Sequence, residues 1–176
     1  MTLLETNLYL LQCWQTAYAV AGEAVLAPFG LSEVDIDAVL SVDAATRQRW
    51  AALPVALALP RPGLLTALRA GNNARIYGFI ARGRDRLTTP AVARLCKPIN
   101  AHLLAAWSGI GGNAETCRTF GLDTTDLSAL DGASETALAN WSRLPIALAT
   151  PKPGLLPDLF AAVKPRFAAF IHALQA

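Results

Sequence analysis

Apolar residues recur at helical spacing through most of the chain, and the longest such stretch lies at the start. Over residues 2–26 they occupy nearly every face of a helix, which predicts a long helix that packs against more than one neighbour. Pro28 and Gly30 follow this stretch and are expected to end it, because proline breaks a helix and glycine favours the left-handed residue after one.

Short polar side chains mark where the next helices begin. Ser32 and Asp123 each stand before an apolar run and have a carboxylate behind them, as a helix N-cap favours. Asp43 and Ser134 are predicted to begin the helices that follow. Each half of the chain therefore contains the same succession of short capped helices.

Prolines divide the remainder of each half. The apolar stretches 53–58 and 144–149 are compatible with either helix or loop, because a proline fits the first turn of a helix or stops one. Pro-x-Pro-Gly at 60–63 predicts a rigid turn that leads into a Leu-Leu helix. Further helices are predicted at 74–80 and 165–174. The predicted fold class is all-α with irregular connections.

The second half of the sequence repeats the first. Residues 29–68 align without a gap with residues 120–159, at an offset of 91, and 17 of the 40 aligned positions are identical. The shared segments include Phe-Gly-Leu, Leu-Pro and Pro-x-Pro-Gly-Leu-Leu. Upstream, the pattern Asn-x-x-Leu-Leu-x-x-Trp begins at Asn7 and again at Asn100, an offset of 93. A chance match of this length and order is not expected.

Two copies are too few for a solenoid and predict a duplicated domain instead. We expect two similar helical repeats packed as a pseudo-two-fold dimer, since two-fold pairing is the commonest arrangement of identical subunits. The first repeat is assigned to residues 1–86, a basic linker with proline to 87–97, and the second repeat to 98–176. The predicted core aromatics, at aligned positions of the repeats, are Trp14, Phe29, Trp50, Trp107, Phe120 and Trp141.

The composition is apolar and short of charge. Hydrophobic residues make up 53% and charged residues 16% of the 176 positions, against about 25% charged residues in a typical soluble domain. The chain is therefore expected to fold, and either to pack very completely or to keep apolar surface for a partner, further copies of itself included. No apolar run approaches the roughly 20 residues of a membrane span. With no signal-peptide pattern and only three cysteines, an odd and sparse set that fits a reducing compartment, a cytoplasmic location is expected.

Positive charge is concentrated where the two copies join. The net charge is +2, but residues 69–97 hold seven basic residues and a single acid. On an exposed segment such a cluster could bind phosphates and release their counterions. The alternative is that the charge only keeps an interdomain linker solvated. The candidate nucleic-acid-binding residues are Arg75, Arg82, Arg84, Arg86, Arg94 and Lys97.

Motifs for catalysis or metal binding are missing from the sequence. No His-x-x-Glu-His, Cys-x-x-Cys or nucleophile-elbow pattern occurs. His102 aligns with Tyr9 of the other copy, which favours a packing role. The glycines in 109–112 suggest a phosphate loop but lack the following Lys-Ser/Thr, so a broken helix is predicted there. We expect no enzyme, no cofactor and no metal site.

Three short segments of the first repeat follow a family pattern. They are the apolar pattern 7–11 in the first helix, the turn and helix start at 29–33, and the continuation at 38–41. Together they resemble the FlhD subunit of flagellar transcriptional activators. The resemblance covers most of residues 5–68 and returns more weakly at 98–159. This chain differs in holding two units in tandem and no cysteine after the second helix of either unit.

The resemblance implies an all-α subunit that assembles with a zinc-binding FlhC-like partner, which carries much of the DNA contact and the metal. Relatives of that pair also regulate conjugative plasmids and integrative elements. The predicted function is thus a transcription regulator, or a regulator subunit, that acts through protein–protein assembly and contact with the DNA backbone. The alternative left open is an adaptor that does not bind DNA, such as an anti-activator or an assembly factor of a secretion or conjugation apparatus.

Overall fold

The computed structural model describes residues 1–110 and 114–163. The chain is mostly helical, which confirms the all-α class, and it adds two short strands. The first half contains α1 (Leu3–Ala21), a 3-10 turn (Gly22–Val25), α2 (Leu26–Phe29), α3 (Glu33–Leu40), α4 (Ala44–Ala51), β1 (Ala58–Pro60), α5 (Leu64–Arg69) and α6 (Asn73–Arg82). After α7 (Pro90–Arg94), the second half contains α8 (Cys96–Ser108), α9 (Ala114–Thr119), α10 (Thr124–Leu130), α11 (Glu135–Ser142), β2 (Ala149–Pro151) and α12, the helical residues 155–163.

None of the helices in the described ranges combines the length and the apolar character needed to cross a bilayer. The helix predicted at 165–174 lies outside the described residues.

The first helix is shorter than the predicted 2–26. Helix α1 ends at Ala21 because Gly22 adopts φ +57°, a conformation that residues with a side chain rarely take. A 3-10 turn and α2 then continue the chain to Phe29. The apolar pattern therefore runs through a bend, which hydrophobic periodicity alone does not reveal.

The predicted helix starts are confirmed. Ser32 and Asp123 each form a capping box with the aspartate three residues later. In the first box, the Asp35 amide donates to the Ser32 hydroxyl at 3.2 Å; in the second, the Asp126 amide donates to the Asp123 carboxylate at 2.7 Å. Asp43 and Ser134 cap α4 and α11 without a capping box, since each side chain accepts from the backbone amide three residues later.

The junction between the halves is more ordered than the sequence analysis predicts. Instead of a solvated linker, residues 87–97 contain α7 and the first turn of α8. Thr89 caps α7 and Pro90 occupies its first turn, where the missing N–H costs nothing. Val92 and Cys96 are buried in the hydrophobic core, so the segment packs against the protein as part of its fold.

One hydrophobic core runs through both halves. The aromatic residues predicted for it are all less than 10% exposed: Trp14, Phe29, Trp50, Trp107, Phe120 and Trp141. They sit at the aligned positions of the sequence repeat. Residues of the two copies thus contribute to the same buried cluster.

A buried asparagine anchors the irregular chain of the first half. The amide of Asn7, which is fully buried, donates to the carbonyls of Ala51 at 3.2 Å and Val55 at 2.9 Å. Its carbonyl oxygen accepts from the Leu57 amide at 3.0 Å. The side chain thus supplies partners to backbone groups that no helix satisfies, as buried backbone requires.

Asn100 has the same role in the second half. Its amide donates to the carbonyls of Ser142 and Leu144, both at 3.4 Å, and Ile146 at 2.9 Å. Its oxygen accepts from the Leu148 amide at 2.8 Å. Three of these four partners stand 91 positions after the partners of the asparagine in the first half.

Strands β1 and β2 join the two halves in an antiparallel pair. The register places Ala58 opposite Pro151, Leu59 opposite Thr150 and Pro60 opposite Ala149. The middle pair is formed by two residues that align with each other in the sequence repeat. The two outer pairs are equivalent, because Ala58 aligns with Ala149 in the sequence repeat and Pro60 aligns with Pro151.

Backbone hydrogen bonds beside the strands repeat this exchange. The Arg61 amide donates to the Leu148 carbonyl at 2.9 Å, and the Lys152 amide donates to the Leu57 carbonyl at 2.8 Å. Both the donors and the acceptors differ by 91 in number.

A second exchanged pair lies further out. The Ala56 amide donates to the Thr119 carbonyl at 2.9 Å, and the Ala147 amide donates to the Pro28 carbonyl at 2.8 Å. Each half therefore contributes equivalent residues to the contact formed by residues 56–61 and 147–152, which we call the seam.

The helices α1 and α8 meet at another aligned pair. The rings of Tyr9 and His102 stack with their centroids 4.0 Å apart and their planes 11° apart. Burial lowers the pKa of His102, although nearby Glu5 acts against this, and the buried Nε2 has no hydrogen-bond partner. Burial also raises the pKa of Tyr9 to about 12. Both rings are therefore neutral packing groups near pH 7.

Candidate anion-binding cleft

A tight turn presents the basic residues at the end of the first half. The carboxylate of Asp85 accepts from the amides of Leu87 at 2.9 Å and Thr88 at 3.1 Å, and from the Thr88 hydroxyl at 3.1 Å. The single acid of the basic region is thus used to hold the turn. Its neighbour Arg84 is exposed and reaches the Thr88 carbonyl at 3.4 Å.

Next to this turn, four cationic side chains line one cleft of about 440 Å³. They come from the turn, from α7, from α8 and from the end of α11: Arg84, Arg94, Lys97 and Arg143. Pro90, Ala93 and Pro145 complete the lining, and no acidic residue is among the lining residues. All four cations are exposed, so a dissolved anion can reach them.

Arg143 is the member of the cleft that sequence reasoning missed. It follows α11, far along the chain from the basic cluster, and its counterpart in the first half is Ala52. The basic cluster indicated the junction, but the fold brings the end of α11 beside it. An arginine at a position where the other copy has alanine was the only available signal.

Three of the predicted binding residues do not line the cleft. Arg82 places its guanidinium 4.9 Å from the ring centroid of Phe79. Arg75 lies over the Gly63 turn, where an added Cβ would meet its guanidinium at 2.5 Å. Arg86 is exposed and stands outside the lining. The structure thus brings together Arg84, Arg94 and Lys97 of the predicted set.

Another cation outside the cleft has a structural role. The guanidinium of Arg61 donates to the carbonyls of Ala147 at 2.7 Å and Pro28 at 3.2 Å, which joins the two halves. Burial lowers its pKa. This cation is therefore committed to the seam.

The chemistry of the cleft is anion recognition. Guanidinium groups bind phosphate or carboxylate oxygens through paired N–H donors, and the lysine adds a point charge. No His, Cys, Asp or Glu stands among the lining residues. Across the described residues, no group of three or more His, Cys, Asp or Glu side chains is placed to hold a metal ion.

The three cysteines are free thiols, and none belongs to the cleft. Burial raises the pKa of Cys96 to about 12 and also raises that of Cys13. Both are therefore protonated and unreactive near pH 7.

Comparison with known proteins found no family model, no curated protein and no solved structure that matches the chain.

Proposed function

We propose that the protein is a transcription regulator, or a subunit of one, that holds the phosphate backbone of DNA in the cleft formed by Arg84, Arg94, Lys97 and Arg143. The observation that carries this proposal is the convergence of four exposed cations from separate elements, with no acid among the residues that line the space. The net charge of the whole chain is only +2, so this concentration is local.

Backbone contact is the mode of binding that such a site favours. Arginine and lysine neutralise phosphates and release condensed counterions, which makes the affinity fall with salt. Contacts of this kind position a protein on the duplex and carry no sequence information. Selection of a promoter would then come from a partner protein, as the expected assembly with an FlhC-like zinc-binding subunit provides.

The proposal includes an architecture: two copies of one small helical subunit, fused head to tail and packed about a pseudo-two-fold axis. It is supported by the pairing of Leu59 with its own counterpart Thr150 and by the exchanged hydrogen bonds on both sides of it. The stacking of Tyr9 on His102 gives a second place where aligned residues meet. A two-fold axis passing between such pairs accounts for both.

The FlhD-like relationship, the zinc-binding partner and further self-association stay predictions. An adaptor that does not bind DNA is the competing function, and the following experiment separates the two.

Binding to a fluorescein-labelled 30-base-pair duplex is measured by anisotropy between about 50 and 300 mM NaCl. The variant Arg84→Ala/Arg94→Ala/Arg143→Ala removes three cleft cations. We expect its plot of log affinity against log salt to be shallower by about three units, since each lost phosphate contact lowers the slope by roughly one.

The matched control is Arg49→Ala/Arg69→Ala/Arg118→Ala, which removes the same charge from exposed positions outside the cleft. It should keep most of the wild-type slope. Equal losses in the two triple variants would mean that overall charge, and not the cleft, binds DNA. Absence of DNA binding by the wild type, with and without a zinc-binding protein encoded beside it, would favour the adaptor.

A further inference from the structure

A second cleft, of about 540 Å³, lies between α8, α10 and α11 on the second half. Trp107 and Leu138 form its apolar walls. Leu130, the last residue of α10, also lines the cleft, as do Ala133 and the exposed Asp131, which follow the helix. No basic residue is among its lining residues. Its chemistry thus differs from that of the basic cleft.

In the first half, the chain itself places a guanidinium at the corresponding position. Arg47, the counterpart of Leu138, is half-buried and donates to the carbonyls of Val39 and Val42 at the end of α3. These two residues correspond to Leu130 and Ala133 at offset 91. The first half therefore shows which chemical group this part of the subunit holds.

In the second half, this cation is missing, and the acid among the lining residues stands at a different position. The leucine side chain at 138 has no N–H to donate; Asp131 replaces the apolar Leu40 of the first half, and Ser128 replaces Asp37. Arg69 donates to the Gly132 carbonyl at 3.3 Å, but it does not line the cleft. An apolar wall for a methylene stem, with an acid at the rim, is the environment that an arginine side chain prefers.

We propose that this cleft receives an arginine side chain of a partner protein, in the way that the first half holds Arg47. The stem would lie along Trp107 and Leu138, and the guanidinium would reach the end of α10 and Asp131. This inference rests on the proposed correspondence between the two halves and is independent of DNA binding at the basic cleft.

The test titrates 15N-labelled protein with N-acetyl-arginine methylamide up to about 50 mM, followed by NMR. We expect saturable shifts of the Trp107 indole N–H and the Gly132 amide. The control probe, N-acetyl-norleucine methylamide, has an apolar stem without the guanidinium and should shift them several-fold less. Absence of shifts with the arginine probe, or equal shifts with both probes, would overturn the inference.

Two variants make the test specific. Leu138→Arg supplies the guanidinium from within, so it should abolish the shifts and raise Tm by about 2–4 °C, the response of a chain of this size to a modest gain in stability. Asp131→Asn should weaken binding several-fold. A folded Leu138→Arg protein that still binds the probe at the same residues contradicts the proposed position.

The reverse variant, Arg47→Leu, separates this inference from the correspondence on which it rests. If both are right, it opens an equivalent cleft, and new shifts appear near Trp14. If the wild-type cleft binds the probe and Arg47→Leu creates no second site, the cleft stands as an arginine site and the correspondence between the halves fails. DNA affinity should be unchanged by Leu138→Arg in either case.

Discussion

Individual polar side chains fix this fold at places where helices leave the backbone without partners. Asn7 and Asn100 are both fully buried and each satisfies three or four backbone groups of the irregular stretch in its own half. The sequence repeat flags both residues, since each begins the pattern shared by the two copies. Their partners could not be predicted, because they lie more than 40 positions away along the chain.

We expect Asn7→Ala and Asn100→Ala each to lower the free energy of unfolding by about 2–3 kcal/mol, because buried backbone groups lose their partners. Urea unfolding followed by tryptophan fluorescence measures the loss. The control Asn140→Ala, at an exposed position on α11, should change it by less than about 0.5 kcal/mol. A small effect at Asn7 or Asn100 would mean that water replaces the side chain.

His102 makes stability depend on pH. Its pKa is lowered in the folded protein by burial, so the unfolded chain binds more protons as the pH falls towards and below 6.5. Stability should therefore decline on acidification through this range. Thermal unfolding at pH 7.5 and 5.5 should show a smaller decline for His102→Tyr, which installs the residue found at the aligned position 9. An equal decline in that variant would assign the effect to other groups.

At the scale of elements, the sequence predicted features that depend on neighbouring residues, but it did not predict contacts between distant segments. The caps Ser32, Asp43, Asp123 and Ser134 were predicted because the capping groups lie within three residues of one another. The short strands were not predicted, since each is three residues long and its partner is about 91 positions away. Thr89 and Pro90 carried the signature of a helix start, but the charge around them favoured a linker.

Two glycines allow the halves to pack closely at the seam. An added Cβ at Gly30 would lie 2.3 Å from the Thr150 side chain, and one at Gly121 would lie 2.3 Å from that of Leu59. Both glycines have a positive φ, +67° and +72°. The exposed Gly71 also has a positive φ, +61°, but an added Cβ there would meet no atom within 4 Å. The stability cost of close approach can therefore be measured separately from the cost of a positive φ.

We expect Gly71→Ala to cost about 1–2 kcal/mol of stability, from the left-handed conformation alone. Gly30→Ala should cost more, because the branched Thr150 is held in the strand pair, and Gly121→Ala should fall between them, because Leu59 meets it with the flexible end of its side chain. Chemical denaturation of the three variants gives the order. Equal costs would contradict close packing at the seam.

The whole molecule shares one core between two similar halves, but its surface differs between them. Arg143 stands where the first half has Ala52, and Leu138 stands where it has Arg47. Arg143 lines the basic cleft, and Leu138 lines the second cleft. In the proposed fused pair, only one copy needs to keep each structural contact, so the other copy can acquire a binding site.

The residues of the basic cleft were predicted from the sequence only in part. The sequence cluster predicted Arg84 and Arg86 alike, whereas the structure keeps Arg84, leaves Arg86 outside and adds Arg143. Charge density along the chain locates a basic region, but the lining of a cleft depends on which distant element packs beside it. Arg143 could not be predicted, because it lies at the end of α11, far along the chain from the basic cluster.

The most direct test of the cleft is therefore the DNA affinity of Arg143→Ala against that of Arg86→Ala, at about 100 mM NaCl and across a salt series. Each variant removes a single exposed arginine. We predict that Arg143→Ala loses affinity about threefold to tenfold and about one unit of salt slope, while Arg86→Ala stays close to the wild type. A larger loss in Arg86→Ala than in Arg143→Ala would contradict the cleft and return the binding site to the exposed turn.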